Sequence, residues 1–133
     1  MDRNDLSARN IEKYLQVIYR NTTYMNKLID DLFLFSKLDL QKLDFNFERI
    51  AVNHFMRDLM EEFRVELEEN AVDFSYVDRT ARECLVRIDR KRIHQVFRNI
   101  IGNAVKYGPD SGLSINAAMY GQDKQVCIDI KDN

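Results

Sequence analysis

A chain of 133 residues with 45% hydrophobic content can bury a core, and it suits one domain or a small domain with one appended element. Its 20 basic and 22 acidic side chains leave a net charge of -2, which gives no general electrostatic reason to expect nucleic acid or a membrane surface as a partner. No stretch approaches the roughly 18 apolar residues that span a bilayer, and the polar start Met1 to Asn4 lacks a signal-peptide core, so we expect a cytoplasmic segment without membrane contact.

The two cysteines, Cys84 and Cys127, each lie in an apolar-rich stretch that is typical of a strand. A disulfide framework or a thiolate metal site therefore has little support. We expect both residues to be buried thiols.

The first part of the chain is predicted to form one long helix. There is no Gly or Pro from Ile11 to Leu38, and apolar residues recur there every seven positions. The stripe consists of Ile11, Ile18, Met25 and Leu32, flanked by Tyr14, Leu15, Leu28, Ile29 and Phe35. In the heptads where no position is interrupted, three of the seven residues are apolar. This stripe is wider than the seam of a two-stranded coiled coil, so we expect the helix to pack against more than one neighbouring helix. Periodicity alone leaves open whether this is a component of any helical bundle or a dimerisation element.

After Leu43 the pattern changes to alternation at Phe45, Phe47 and Ile50, which predicts a short strand. We therefore place a domain boundary near Asp44, with domains at 1–44 and 45–133. Asn53 is predicted to cap a second helix that ends near Glu69. Its apolar face contains Phe55, Leu59, Met60, Phe63 and Leu67.

Further strands and a third helix follow in the second domain. Alternation in 72–76 and 84–88 predicts two strands, and Asp78 to Glu83 is a candidate hairpin loop between them. A helix is predicted from Asp89 to Tyr107, closed by Gly108 in a left-handed cap and by Pro109. Strands around 113–119 and 125–130 complete an α+β domain of two layers, with helices on one face of a mixed sheet.

The third helix separates its side chains into two faces. Spacings of three and four predict a continuous buried stripe that consists of Ile93, Val96, Phe97, Ile100, Ile101, Ala104 and Val105. Asn99, Asn103 and Lys106 share the opposite face, and Tyr107 lies at its edge. Amide oxygens suit magnesium, an ammonium group suits phosphate, and an aromatic ring offers a surface for a base or sugar. An ordinary solvated helix face has the same residue types, so the residue types alone do not distinguish a binding site from a solvated face.

The segment Asn99-Ile100-Ile101-Gly102-Asn103-Ala104-Val105-Lys106-Tyr107 closely resembles the N box of sensor histidine kinases. The stretches Tyr14 to Ile18 and Leu28 to Leu38 resemble the second dimerisation helix of that family, and Val126 to Asn133 resembles the strand that leads into its first glycine box. The resemblance implies a long dimerisation helix at 1–44, followed at 45–133 by the N-terminal half of a two-layer ATP-binding domain of the histidine-kinase (GHKL) type.

The resemblance also implies roles for particular residues, with ATP and Mg²⁺ as cofactors. Asn103 would coordinate the magnesium bound to ATP, and Asn99 would support that site. Lys106 would contact phosphate, Tyr107 would pack against the nucleotide, and Asp132 would recognise the adenine amino group. The implied partners are a second copy of the chain, joined through the N-terminal helix in a homodimer or higher assembly, and a response regulator for the parent kinase.

Parts of the family pattern do not occur in this sequence. The phosphoacceptor motif, a His-Glu followed by a Pro, is absent, and the two histidines, His54 and His94, are expected to be structural. The glycine-box glycines and the ATP lid do not appear either, so we do not expect tight ATP binding or autonomous kinase activity from this chain.

Two other function classes compete with a kinase fragment. The chain could be a non-catalytic dimerisation module that modulates a kinase. It could also belong to other ATPases with this fold, but those generally have a glutamate for water activation near the place where Gln95 and Asn99 stand here.

Overall fold

The computed structural model describes residues 3–133, with side chains from Ser7 onward. Its elements are α1 (Arg3–Asp39), β1 (Glu48–Ala51), α2 (Val52–Glu69), β2 (Asp73–Asp78), β3 (Leu85–Ile88), α3 (Arg90–Tyr107), β4 (Ser114–Gln122) and β5 (Gln125–Asp132). This order confirms the predicted α+β class. The chain divides between Asp44 and Phe45 into two compact units. Met1 and Asp2, which the predicted domain 1–44 includes, lie outside the described residues.

The first unit is a single helix of 37 residues, α1. The hydroxyls of Thr22 and Thr23 donate to the carbonyls of Ile18 and Tyr19 at 2.8 and 3.0 Å, so these polar residues are satisfied within the helix. The apolar stripe predicted from the heptads is exposed along its length, with Leu32 64% and Phe35 67% accessible. None of the described helices combines the length and the apolar character needed to cross a membrane.

The second unit has two sheets, where the sequence predicted one. β2, β4 and β5 form a mixed sheet in which β4 is central, parallel to β2 and antiparallel to β5. β1 and β3 form a separate antiparallel pair. The predicted hairpin at 78–83 is therefore wrong, because β2 and β3 pair with different partners. A strand that crosses to another sheet has the same local alternation as one that turns back, so the pattern could not distinguish the two.

One hydrophobic core joins α2 and α3 to the three-stranded sheet. The least exposed large side chains are Met56, Met60 and Phe63 from α2, and Ile115 and Met119 from β4. Phe97, Ile101 and Ala104 from α3 belong to the same cluster. The predicted apolar face of α2 is thus confirmed at Leu59, Met60, Phe63 and Leu67, which are all buried, while Phe55 is half-buried.

The predicted capping role of Asn53 is wrong. Helix α2 begins at Val52, with Ala51 in the cap position two residues before Asn53 and no capping side chain. The Asn53 amide instead holds the loop between β2 and β3. It donates to Asp78 Oδ2 at 3.0 Å and to Thr80 Oγ1, and its oxygen accepts from the Cys84 amide at 2.6 Å. The loop offers the Asn53 side chain more hydrogen-bond partners than the first turn of α2 does. Local sequence cannot show which of these two sets of partners the side chain binds.

Helix α3 ends at Tyr107 as predicted, but not with the predicted left-handed glycine. Gly108 has φ -72° and ψ 178°, an extended conformation that any residue can adopt. Glycine is favoured there because there is no room for a side chain: an added Cβ would lie 2.5 Å from the Ala104 carbonyl oxygen and 2.9 Å from Leu113 Cδ1. The backbone at Gly108 is thus packed closely against the last turn of α3 and against Leu113.

We predict that Gly108→Ala lowers the free energy of unfolding by about 1–3 kcal/mol, since the added methyl group is forced into occupied space. Gly102→Ala is the matched control, because nothing lies within 4 Å of its added Cβ. In a helix interior that change should stabilise by about 0.5–1 kcal/mol. Chemical denaturation followed by circular dichroism measures both, and equal effects from the two variants would contradict the close contact at Gly108.

Candidate functional site

The start of helix α3 is fixed by Asp89, which is 8% exposed. One carboxylate oxygen accepts from the Arg92 amide at 3.1 Å, as an N-cap does, and the other accepts from the Asn46 amide at 2.9 Å. These backbone hydrogen bonds, from Asn46 first and Arg92 next, hold the pKa of the Asp89 carboxyl below its ordinary value. Asp89 therefore ties the segment before β1 to the helix that carries the candidate site.

The polar face of α3 presents two amides one turn apart. Asn99 and Asn103 are both exposed, and neither side chain takes part in a hydrogen bond within the described part of the chain. The Lys106 ammonium lies 5.0 Å from the centroid of the Tyr107 ring, which is 75% exposed. Two amides, an ammonium group and an aromatic ring thus stand together on the last turns of one helix, as the spacing predicted.

Contacts with α2 fix the direction in which this face points. His94 Nε2 lies 3.1 Å from Glu62 Oε1, and Arg98 forms ion pairs with Glu62 and Glu66 at 3.5 and 3.4 Å. The Arg98 guanidinium also lies 5.3 Å from the Phe63 ring centroid. One flank of α3 is therefore occupied by α2, which leaves the polar face and the flank opposite α2 for other contacts.

The predicted buried stripe of α3 is wrong at three positions. Phe97, Ile101 and Ala104 are buried and Ile93 is half-buried, but Val96, Ile100 and Val105 are 48%, 43% and 42% exposed. In a fold with one layer of helices on one sheet, only a limited arc of each helix is buried. The predicted stripe of α3 was wider than that arc. Val96 and Ile100 share the flank away from α2 with Tyr107, and they make that flank apolar next to the amide face.

Strand β5 brings Asp132 to the same end of the unit. Directly paired residues point to one face of a sheet, and Asp132 is paired with Ile115, which is completely buried beneath the helices. Ile115 is the second residue of β4, which starts shortly after α3 ends. Asn133 fastens this corner, since its side chain accepts from the Ser114 amide and donates to the Gly112 carbonyl, both at 2.9 Å.

These elements define an open shelf, by which we mean the exposed flank and amide face of α3 together with the helix-facing side of β5. α2 packs against β2 at one edge of the sheet, and β5 is the strand at the other edge. The flank of α3 opposite α2 therefore lies on the β5 side. Half-buried Val126, Ile128 and Ile130 continue along β5 toward Asp132. Asn99, Asn103, Lys106 and Tyr107 thus lie on the last turns of α3, and Asp132 lies on the edge strand, on the face of the sheet that packs against α2 and α3.

Neither histidine lies on the shelf. His54 is 3.3 Å from Glu83, with its Nδ1 accepting from Arg57 at 2.7 Å, and His94 contacts Glu62. The cysteines are free thiols, but both are half-buried, so the prediction that they are buried is wrong in degree. Within the described residues, no three His, Cys, Asp or Glu side chains form a group that could hold a metal ion. The amide oxygens of Asn99 and Asn103 are a different type of ligand, one that suits magnesium.

Comparison with known proteins supports the resemblance. The sensor histidine kinase WalK of Bacillus subtilis is 32% identical over 121 residues, which cover 90% of this chain and 20% of that protein. This chain is a relative of the sensor histidine kinases. The sensor histidine kinase YvrG of B. subtilis is 25% identical over 129 residues, or 97% of this chain and 22% of that protein. No protein-family model matches the chain.

Solved structures show the same fold. The histidine kinase AdeS of Acinetobacter baumannii superposes with a TM-score of 0.65 at 20% identity, over 82% of this chain and 53% of that one. The histidine kinase ThkA, in complex with the response regulator TrrA, superposes with a TM-score of 0.60 at 18% identity, over 81% of this chain and 32% of that one. The chain spans about a fifth of the length of WalK and YvrG.

We predict that Asp89→Asn removes a stabilising contribution that is present at neutral pH and absent in acid. Because the folded-state pKa of Asp89 is lowered, its contribution exists above the unfolded-state pKa and is lost as the pH falls through the folded-state pKa. Urea unfolding of both proteins between about pH 7 and about pH 2 should show the gap in stability closing below about pH 4. Asp110→Asn, at an exposed loop position, is the control. A gap that stays constant with pH would contradict the assignment.

Proposed function

We propose that this chain is the part of a sensor histidine kinase that runs from the second dimerisation helix through the first half of the ATP-binding domain. The observation that carries the proposal is the shelf, where exposed amides without an internal partner adjoin an apolar flank and a carboxylate. Kinship with sensor histidine kinases supports this choice over the other ATPases that share the fold.

On this proposal, the shelf binds the nucleotide through complementary chemistry. Asn103 offers an amide oxygen to Mg²⁺, and Asn99 supports it from the preceding turn. Lys106 neutralises phosphate charge, while the Tyr107 ring packs against the nucleotide. Asp132 accepts a hydrogen bond from the adenine amino group at the far side of the shelf. When bound, ATP supplies the phosphoryl group that a histidine kinase transfers to histidine.

The exposure of the shelf sets the strength of binding that we expect. A typical ligand site buries most of its ligand, but here Asn99, Asn103, Lys106 and Tyr107 are all exposed. Binding should therefore be weak and should depend on magnesium. We also infer that the shelf has no phosphoacceptor histidine of its own, because His54 and His94 both make their contacts away from it.

Calorimetric titration of Mg-ATP tests the proposal. The unmodified chain should bind weakly, and Asn103→Ala should weaken binding at least about tenfold, since a magnesium ligand is lost. Gln16→Ala removes an exposed helical amide from α1 and is the matched control, with no expected effect. Excess chelator should reduce binding by the unmodified chain to the level of the Asn103→Ala variant.

Binding that persists undiminished in Asn103→Ala would contradict the assigned magnesium ligand. If the folded chain shows no binding at all, the proposal for the shelf fails and the non-catalytic dimerisation module becomes the better account. Circular dichroism of each variant separates loss of binding from loss of fold.

Self-association is the second part of the proposal, and α1 carries it. Its exposed apolar stripe includes Ile18 at 60% and Leu32 at 64% accessibility, and a continuous exposed apolar surface of this kind is typical of an interaction site. We propose that α1 pairs with a second copy in a homodimer or higher assembly. In the parent kinase, the same helix would belong to the region that meets a response regulator.

We predict that Ile18→Glu converts the associated chain to monomer, because a buried carboxylate without a partner is costly at a helix interface. Lys13→Glu, on the polar side of the same helix, changes the charge by two units but leaves the apolar stripe intact, so the assembly should persist. Sedimentation equilibrium over a range of concentrations measures the mass. A monomeric wild-type chain at high concentration would refute association through α1.

A further inference from the structure

We propose that the second unit has another binding site, which takes an extended acidic polypeptide segment. The site is a cleft of about 1000 Å³ between the loop after β2, strand β3 and the turn from β4 to β5. That turn lies at the opposite end of β5 from Asp132, so the cleft is distinct from the five candidate site residues of the shelf, although Val126 adjoins both surfaces. The inference does not rest on nucleotide binding.

The charge of the cleft is the first argument. Four cationic side chains line it: Arg49, Arg79, Arg82 and Lys124. All four are exposed, and none of their charged groups forms an ion pair or hydrogen bond within the described part of the chain. The whole chain has a net charge of -2, so this local excess of cations is opposite in sign to the molecule around it.

The two carboxylates of the cleft do not cancel this excess. Glu83 lies 3.3 Å from His54 Nε2, on the α2 side, and Asp123 stands in the exposed turn beside Lys124. Unpaired guanidinium groups at the rim of a concave surface bind carboxylates or phosphates well, because each can donate two parallel hydrogen bonds. The cleft is thus complementary to an anionic ligand.

The walls of the cleft favour a peptide over a small anion. Leu85, which is 55% exposed, and half-buried Val86 and Val126 contribute apolar surface between the cations. In the described residues β3 pairs only with β1, so its outer edge offers backbone amides and carbonyls to an added strand. A strand that alternates acidic and apolar residues would satisfy the edge, the apolar wall and the cations together.

Lys124 provides a test in which binding and stability should move in opposite directions. Asp123 and Lys124 form a two-residue turn with φ of 49° and 65°, a left-handed conformation in which glycine is favoured. Lys124→Gly should therefore raise the denaturation midpoint and remove one cation from the cleft at the same time. A merely structural role for this residue cannot produce that combination.

The experiment uses a fluorescein-labelled octapeptide of alternating Glu and Val, with anisotropy as the measurement at low and high salt. Wild-type chain should bind it, and salt should weaken the binding. The double variant Arg79→Ala/Arg82→Ala should weaken binding at least about tenfold, and Lys124→Gly should weaken it several-fold despite higher stability. Arg20→Ala, on α1, should bind like wild type, and a Lys-Val octapeptide should not bind.

Absence of binding by the wild-type chain, or equal binding by the double variant, would overturn the proposal. So would binding of phosphatidylserine vesicles or duplex DNA through the same four cations in the absence of peptide binding, since the surface would then serve lipid or nucleic acid. Mg-ATP titration of the double variant should match wild type, so failure of this proposal is distinguishable from failure of the shelf.

Discussion

Burial of Phe97, Ile101 and Ala104 against the three-stranded sheet fixes the rotation of α3, and the rest of the second unit depends on that rotation. A helix that buries one arc must present the opposite arc to solvent, so the amide face follows from the apolar one. The ion pairs of Arg98 with Glu62 and Glu66 are exposed and contribute little stability, but they occupy the flank toward α2. What remains open is the side toward β5.

Much of this arrangement follows from local sequence. The heptads of α1, the apolar face of α2 and the extent of α3 each arise from side-chain periodicity within one element, and the structure has these helices where periodicity predicts them. The grouping of Asn99, Asn103, Lys106 and Tyr107 also lies within a single helix. Their proximity therefore needed only the geometry of that helix, without any knowledge of the tertiary fold.

Features that depend on distant partners could not be predicted in the same way. Asn53 bonds to residues 25 to 31 positions away, in a loop whose path local alternation does not determine. Val96 and Ile100 fit an apolar stripe by their spacing. Their exposure depends on how many layers pack against α3, which local sequence does not determine. The four cations of the cleft come from three separate parts of the chain, so no motif could have grouped them.

We propose that nucleotide and metal bind at the shelf, with Asn103 at one side and Asp132 at the other. Paramagnetic broadening of backbone amide signals by Mn²⁺-ATP tests this directly, because the effect falls off steeply with distance from the ion. We predict selective broadening in residues 99–107, weaker effects in residues 130–133 and none in the turn at 121–124. Broadening that is uniform, or that centres on the cleft at 79–82, would contradict it.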